Sequence, residues 1–418
     1  MPSGYAIVIE SFVKVGHEMN NGYSKAGRAG LGMVLILGTL ASFGPLSLDM
    51  YLPALPEVAA DLHTSASLAQ LSLTFCLLGL AIGQIVVGPL SDMIGRRRPL
   101  ILSLLLYMLS SLLCAFSPSV SFLIVMRFIQ GFTGAAGIVI ARASARDMYS
   151  GKELTAFFSL LMLVNGAAPI LAPITGGFIL QFAGWKIVFI VLAVIGCIIF
   201  AAVITALPES LPPEKRTSGG LRETLMTFRG LLGDRMFMGI ALSQAFVMTG
   251  MFAYIAGSPF VLQNIYGVSA QTFSLLFAVN GAGIICAAQI TGRMAKTHDE
   301  RKLFIAGLFI AVIGSIALLL SLALGLGLTA VCISLFIIVS SVGVVTTTGF
   351  SLAMQKQEKG AGSAAALLGL LPFIGGAAAA PLVGIAGEEN AWPMAVSIFG
   401  FQLFAVLSYA LSAKRKTK

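Results

Sequence analysis

Charge is scarce in this sequence: Asp, Glu, Lys and Arg together make up 10% of 418 residues. That is far below the usual share in a soluble globular chain. There are three histidines, His17, His63 and His298, and none falls in a long apolar run, which excludes an intramembrane histidine relay. The five cysteines, Cys76, Cys114, Cys197, Cys286 and Cys332, follow no metal-ligand or redox spacing and read as buried small apolar residues. No phosphate-cradling glycine loop is present, so ATP is not expected to drive anything here. No Ser/His/Asp set, zinc-ligand set or paired carboxylates appear either, so the chain is not expected to be an enzyme or to hold a metal or cofactor.

What is present is apolar. Hydrophobic residues make up 57% of the chain and the mean hydropathy is +0.95. Runs of about 20 residues with few charges, long enough to cross about 30 Å of hydrocarbon as helix, recur twelve times. The expected spans are 30–54, 67–90, 99–117, 121–142, 155–181, 186–207, 238–260, 270–293, 302–323, 327–350, 362–386 and 391–412. Alternating segments of about ten residues are missing, which excludes a transmembrane barrel. The expected fold class is therefore an all-α polytopic membrane protein.

The net charge of +9 is topological. With the N-terminus in the cytoplasm, 24 of the 26 basic residues fall on that side, the exceptions being Arg127 and Lys186. The positive-inside rule then places both termini in the cytoplasm, with anionic membrane lipid as a partner. Basic and aromatic interleaving is absent, so no nucleic-acid partner is expected. Residues 1–28 lack the basic start and continuous apolar core of a signal peptide, leaving span 1 as its own targeting signal, with translation starting at Met19 or Met33.

Five segments follow: a tail at 1–28, a six-span half at 29–207, a polar linker at 208–237, a second six-span half at 238–412 and a basic tail at 413–418. Within the linker, 221–232 could form an amphipathic helix on the membrane surface. Span 5 carries Pro173-Ile174-Thr175-Gly176 and span 11 carries Pro381-Leu382-Val383-Gly384, and the loop after span 2 is echoed after span 8. Such a repeat suits a transporter whose halves rock about a central site.

Two formal charges lie clearly within spans, Asp49 and Arg127. A charge at mid-membrane costs about 2.5–3.5 kcal/mol on insertion scales and needs a partner or a wet cavity. Asp49 stands in "GPLSLDMYLPALP", where Pro45, Pro53 and Pro56 should bend a long, tilted span; the alternative is an interfacial acid ending a helix. In span 4, Arg127, Gln130, Gly131 and Gly134 share one face. Arg127 either faces a polar cavity or is bonded to backbone carbonyls. In span 5, Gly166, Pro169, Pro173 and Gly176 form a small-residue packing face. After span 2, Gly88 and Gly95 permit a tight hairpin in which Asp92 either meets the local arginines, Arg96, Arg97 and Arg98, or caps a neighbouring helix N-terminus. Polar residues in spans, Tyr51, Gln130, Asn165, Gln244, Tyr254 and Asn280, are expected around the substrate cavity.

These residues resemble the major facilitator superfamily from about residue 30 to 412. Gly88, Pro89, Leu90, Asp92, Gly95 and Arg96 to Arg98 match its signature loop, except that Met93 replaces a usual basic residue. Arg127, Gln130 and Gly131 resemble its span 4 motif, and Pro173, Gly176 and Gly177 the end of its antiporter motif, with Ala172 in place of a common glycine. The stretch "LSLDMYLPALP", with Arg146-Asp147 and Ala391-Trp392-Pro393-Met394, is similar to the bicyclomycin-resistance-like branch of drug:proton antiporters. The resemblance implies that Asp49 alternates between proton and substrate, that Arg127 shares in proton coupling, and that Asp92 locks an inner gate. It implies a monomeric exporter of drug-like molecules in the cell membrane, driven by the proton gradient. An exporter of one metabolite or amino acid on the same scaffold is the alternative.

Overall fold

A computed structural model describes residues 29–216, 230–355, 361–385, 387 and 389–413. The tail at 1–28, linker residues 217–229, which hold most of the expected amphipathic helix at 221–232, and the basic residues at 414–418 lie outside the described residues. Every regular element described is helical. Ten helices are long and apolar enough to cross a membrane, and a bent pair, Gly32–Ala41 with Phe43–Asp61, supplies an eleventh crossing. The twelfth helix is Gly151–Phe182, whose part Gly166–Phe182 is apolar. Spans 2 to 12 are the helices Ala66–Ile94, Arg97–Ala115, Val120–Met148, Gly151–Phe182, Lys186–Ala206, Arg235–Pro259, Ala270–Met294, Glu300–Ala323, Gly327–Met354, Ala361–Val383 and Trp392–Ala413. Several begin on a side-chain cap, as at Ser65, Ser119, Asp234, Ser269 and Asp299, where an oxygen accepts an otherwise unpaired backbone N–H.

Span 1 is bent, as its prolines led us to expect, and is further broken into short pieces. It runs as Ala29–Ala41, bends by 50° and continues as Phe43–Asp49, a 3₁₀ turn Leu52–Ala54 and a last helix Leu55–Asp61. Pro45 accounts for the bend, because its ring crowds the carbonyl four residues back, at Ala41, and it has no N–H to bond there. Ser42 adds to it by bonding the Gly38 carbonyl through its hydroxyl at 2.9 Å. Pro53 and Pro56 sit in the first turns of the two later pieces, where a missing donor is tolerated.

The outer surface is apolar, as hydrocarbon requires: Phe116, Phe178, Phe182 and Ile385 are all strongly exposed. Cys76 and Cys114 are buried as expected, but Cys197 and Cys286 are exposed on this lipid-facing surface, where a thiol behaves as a small apolar group. One core cluster joins the two halves, packing Leu48, Tyr51 and Phe189 with Tyr254, Phe260 and Phe277. Toward the end of the bundle that carries the Arg96 loop, here the basic end, the halves keep separate clusters. Among the described residues of the first half, only Ala81 and Ile85 reach the second half's cluster there.

Candidate functional site: an intramembrane acid between two halves

Arg127 organises the first half. It is fully buried and donates to the Ser47 carbonyl at 2.9 Å and to the Gln130 side chain at 2.5 Å. Gln130 in turn donates to the Ser111 hydroxyl at 2.8 Å, and Ser47 shares a 2.7 Å hydrogen bond with the Tyr107 hydroxyl. The guanidinium lies 4.9 Å from the Tyr51 ring centre and 5.5 Å from that of Phe189, cation–π contacts with two rings that touch each other. Arg127 thus makes one backbone bond, to Ser47, while its Nε and its other terminal nitrogen have no hydrogen-bond partner among the described residues. It pins the bent helix of span 1 two residues before Asp49.

Asp49 is 6% exposed at the end of Phe43–Asp49. Among the described residues its carboxyl makes no ion pair and no hydrogen bond, and Arg127 does not pair with it. Across the interface it lies within electrostatic range of Tyr254 in span 7. The Tyr254 hydroxyl accepts a 2.8 Å hydrogen bond from Asn280 of span 8, and its ring stacks on Phe277 at 5.5 Å. Asp49, Tyr254 and Asn280 are thus brought together from both halves.

The other expected cavity residues are not at this point. Tyr51 is fully buried in the first half, bonded to Ser72 at 3.1 Å, and Gln130 is committed to Arg127. Gln244 lies ten residues before Tyr254 on the same helix, about 15 Å away at helical rise, against Gly349 and Phe304 near the basic end. Asn165 stands on the span 5 helix with its side chain outside the described residues.

Span 5 keeps Pro169 and Pro173 inside one helix. A methyl group on Gly176 would overlap the Met50 carbonyl, and one on Gly177 would overlap the Ser274 hydroxyl of span 8. These two glycines therefore seat span 5 against both the residue after Asp49 and the other half. Gly384, just past the end of span 11, packs on Ser67 and Gln70 of span 2. Gly176→Ala should force span 5 off span 1 and lower detergent-solubilised stability by about 1–3 kcal/mol. A thermal unfolding midpoint equal to that of the parent would remove this contact from the account.

The hairpin loop works through Gly95 alone. Gly88 stays within the helix of span 2, whereas Gly95 has φ +99°, a conformation that side chains resist. That turn aims the backbone N–H groups of Arg96 and Arg97 at Glu209, which accepts them at 2.8 and 3.2 Å. The Arg96 guanidinium bonds Asp92, Ser91 at 2.8 Å and Asp147 at 2.9 Å. Arg97 caps the Ile204 carbonyl at 2.6 Å, and Arg98 is exposed. Within this structure the network ties spans 2, 3, 4 and 6 of one half together and does not reach the other. Glu209 was not anticipated, since an acid in a polar linker gives no local signal of a distant partner.

Burial pushes the Glu209 carboxyl up, but the N–H groups of Arg96, Leu211 and Arg97, with the charge of Arg216, outweigh it and hold the carboxyl below its ordinary value. A lowered acid contributes stability that is complete above the unfolded value, about 4.3 for glutamate. That stability is lost as pH falls through the folded value. Unfolding midpoints measured from pH 7 down to pH 3 should show this loss in the parent and a flatter profile in Glu209→Gln; equal slopes would exclude Glu209 as the source.

Comparison with known proteins agrees with this geometry. The sequence profile of the Major Facilitator Superfamily matches residues 35–380. The chain is 46% identical to an uncharacterized MFS-type transporter, YdgK of Bacillus subtilis, covering 93% of this chain and 96% of that protein. It is 31% identical to a bicyclomycin resistance protein homolog of Haemophilus influenzae, covering 92% and 97%. The fold matches a crystal structure of a bacterial homolog of the human lysosomal transporter Spinster, in an inward-facing and unoccupied conformation. The TM-score is 0.74 at 15% identity, covering 92% of this chain and 96% of that one. The chain is a multi-pass membrane protein that belongs to the major facilitator superfamily, in the branch of the bicyclomycin-resistance relatives.

Proposed function

We propose that this protein exports drug-like amphiphilic molecules from the cell in exchange for protons. The observation that carries the reading is Asp49: a buried acid without an ion-pair partner among the described residues, on the line where the two halves meet. An unpaired carboxylate in hydrocarbon is costly, and either a proton or a cationic or hydrogen-bonding substrate group relieves that cost. One site that accepts one of the two at a time couples their movements. A proton moving inward across 100 mV supplies about 2.3 kcal/mol per charge, so the gradient biases the exchange outward for substrate. Positive-inside topology places the basic end in the cytoplasm, with proton entry from the far end.

Arg127 acts by holding the Asp49 helix in place. Tyr254 and Asn280 offer hydroxyl and amide groups, and Phe277 an aromatic wall, the mixture that suits a large amphiphile rather than a sugar. Asp92, through Arg96, stiffens the basic end and is the element that locks it when the halves close there. The protein works as a monomer, since each half supplies part of the site.

Purified protein in liposomes with an imposed pH gradient tests this with a panel of bicyclomycin-like, cationic and neutral drugs. Drug movement against proton movement is expected. Movement of a single metabolite or amino acid with no drug carried would replace the substrate assignment by the alternative exporter, and drug movement indifferent to the gradient would exclude proton coupling.

A further inference from the structure

The far end of the bundle holds three hydrogen bonds between the halves, and all three are of one kind. Gln70 of span 2 donates to the Ala256 carbonyl at 3.0 Å, Gln263 beyond span 7 to the Pro53 carbonyl at 3.3 Å, and Gln271 of span 8 to the Gly177 carbonyl at 3.2 Å. Each is a neutral amide meeting a backbone carbonyl. Among the described residues no other side-chain hydrogen bond joins the halves, and the three ion pairs all lie within the first half.

Their placement around Asp49 is close. Pro53 is one turn past Asp49, Ala256 is two residues past Tyr254, and Gly177 adjoins the glycine that packs on the Met50 carbonyl. Ionisable side chains near them are otherwise engaged or distant. Facing Gln263, Glu57 accepts the Trp185 N–H, and Asp61 pairs with Lys186 and the Trp185 indole. Gln70 faces span 7, where the titratable group is Tyr254, and span 11, followed by the exposed Glu389. Around Gln271, span 5 has none from Pro169 to Phe182, and span 8 has only Cys286 before Arg293.

We propose that Gln70, Gln263 and Gln271 are positioning residues that clasp the far gate shut, and that the clasp is free of charge so that protonation acts on gate opening through Asp49 alone. This rests on the proton-exchange reading of Asp49. A neutral amide-to-carbonyl bond has the same strength at any physiological pH and moves no charge through the membrane field. A gate of ion pairs would titrate on its own account and blur the coupling between proton and substrate.

The full-length chain, with its five cysteines replaced and Ser274→Cys as a reporter beneath Gly177, tests the clasp without any substrate. A membrane-impermeant thiol reagent is applied from the far side in sealed vesicles. Each of Gln70→Leu, Gln263→Leu and Gln271→Leu is expected to raise labelling about fivefold, the value of a typical net hydrogen bond, and the triple variant more. Unchanged labelling in the triple variant overturns the proposal. Gln271→Glu carries its own folding control, because one preparation is compared at two pH values. Its protonated acid donates to the Gly177 carbonyl and its carboxylate cannot, so labelling should be low at acid pH and rise with pH. A profile identical to the parent's overturns the proposal, as does, in Asp49→Asn with all three glutamines intact, labelling that depends on pH more steeply than that of a free thiol in the same buffers. If the clasp results hold while liposomes exchange no drug for protons, the transport reading fails and the clasp stands.

Discussion

Asp49→Asn is expected to abolish proton-driven drug efflux, bringing gradient-dependent flux in liposomes to the level of vesicles without protein, while the protein still folds. Asparagine keeps the size and a hydrogen-bonding end but cannot bind or release a proton. The buried position then becomes permanently neutral, which removes the unpaired charge rather than creating one, so stability should hold or rise. The distinguishing measurement is substrate counterflow, exchange of labelled for unlabelled drug with no gradient. It requires the halves to rock but no net proton movement, so with a neutral drug that hydrogen-bonds to the asparagine amide it should survive in Asp49→Asn when efflux does not. Asp49→Glu retains the proton with a longer stem and should retain part of the efflux. Full gradient-driven efflux in the asparagine variant would take Asp49 out of the mechanism.

The second large effect is structural. Arg127→Ala should cost about 3–5 kcal/mol, because it strands the Ser47 carbonyl and the Gln130 oxygen and leaves a cavity beside the Tyr51 and Phe189 rings. Loss of yield and a lower thermal midpoint in detergent are the readouts. Arg127→Lys keeps a charge that reaches one of the two acceptors but not the planar fork or the ring stacking, so it should fall between. An alanine variant with unaltered thermal stability and lost proton coupling would assign Arg127 to the proton path instead of to the support of the Asp49 helix.

Both effects arise at residues that were legible as exceptions. In a chain that is 57% hydrophobic, an acid and an arginine inside apolar runs stand out without any structure. Gly95 was legible too, since a turn that short needs a residue at positive φ. Gly176 and Gly384 were legible as a repeated small-residue pattern, though not the carbonyl and the glutamine they pack against. Tyr51, anticipated at a cavity, packs in the cluster that joins the halves, and Gln130 is bonded to Arg127 inside the first half. A polar residue in a span looks the same in one dimension whether it faces a ligand or a neighbouring arginine.

By itself the sequence determined that this protein lives in a membrane, crosses it as helices and repeats its architecture, because hydrophobicity and span length are local properties summed along the chain. Pro45 belongs to the same class, its bend following from a clash four residues back. The tertiary structure alone decided that Arg127 donates to the Ser47 carbonyl, that Tyr254, bonded to Asn280, stands near Asp49, and that three glutamines join the halves. Hydrogen bonds between residues up to 210 positions apart depend on how whole helices are rotated and staggered. That rotation is set by packing over the entire bundle, and no short stretch of sequence contains it.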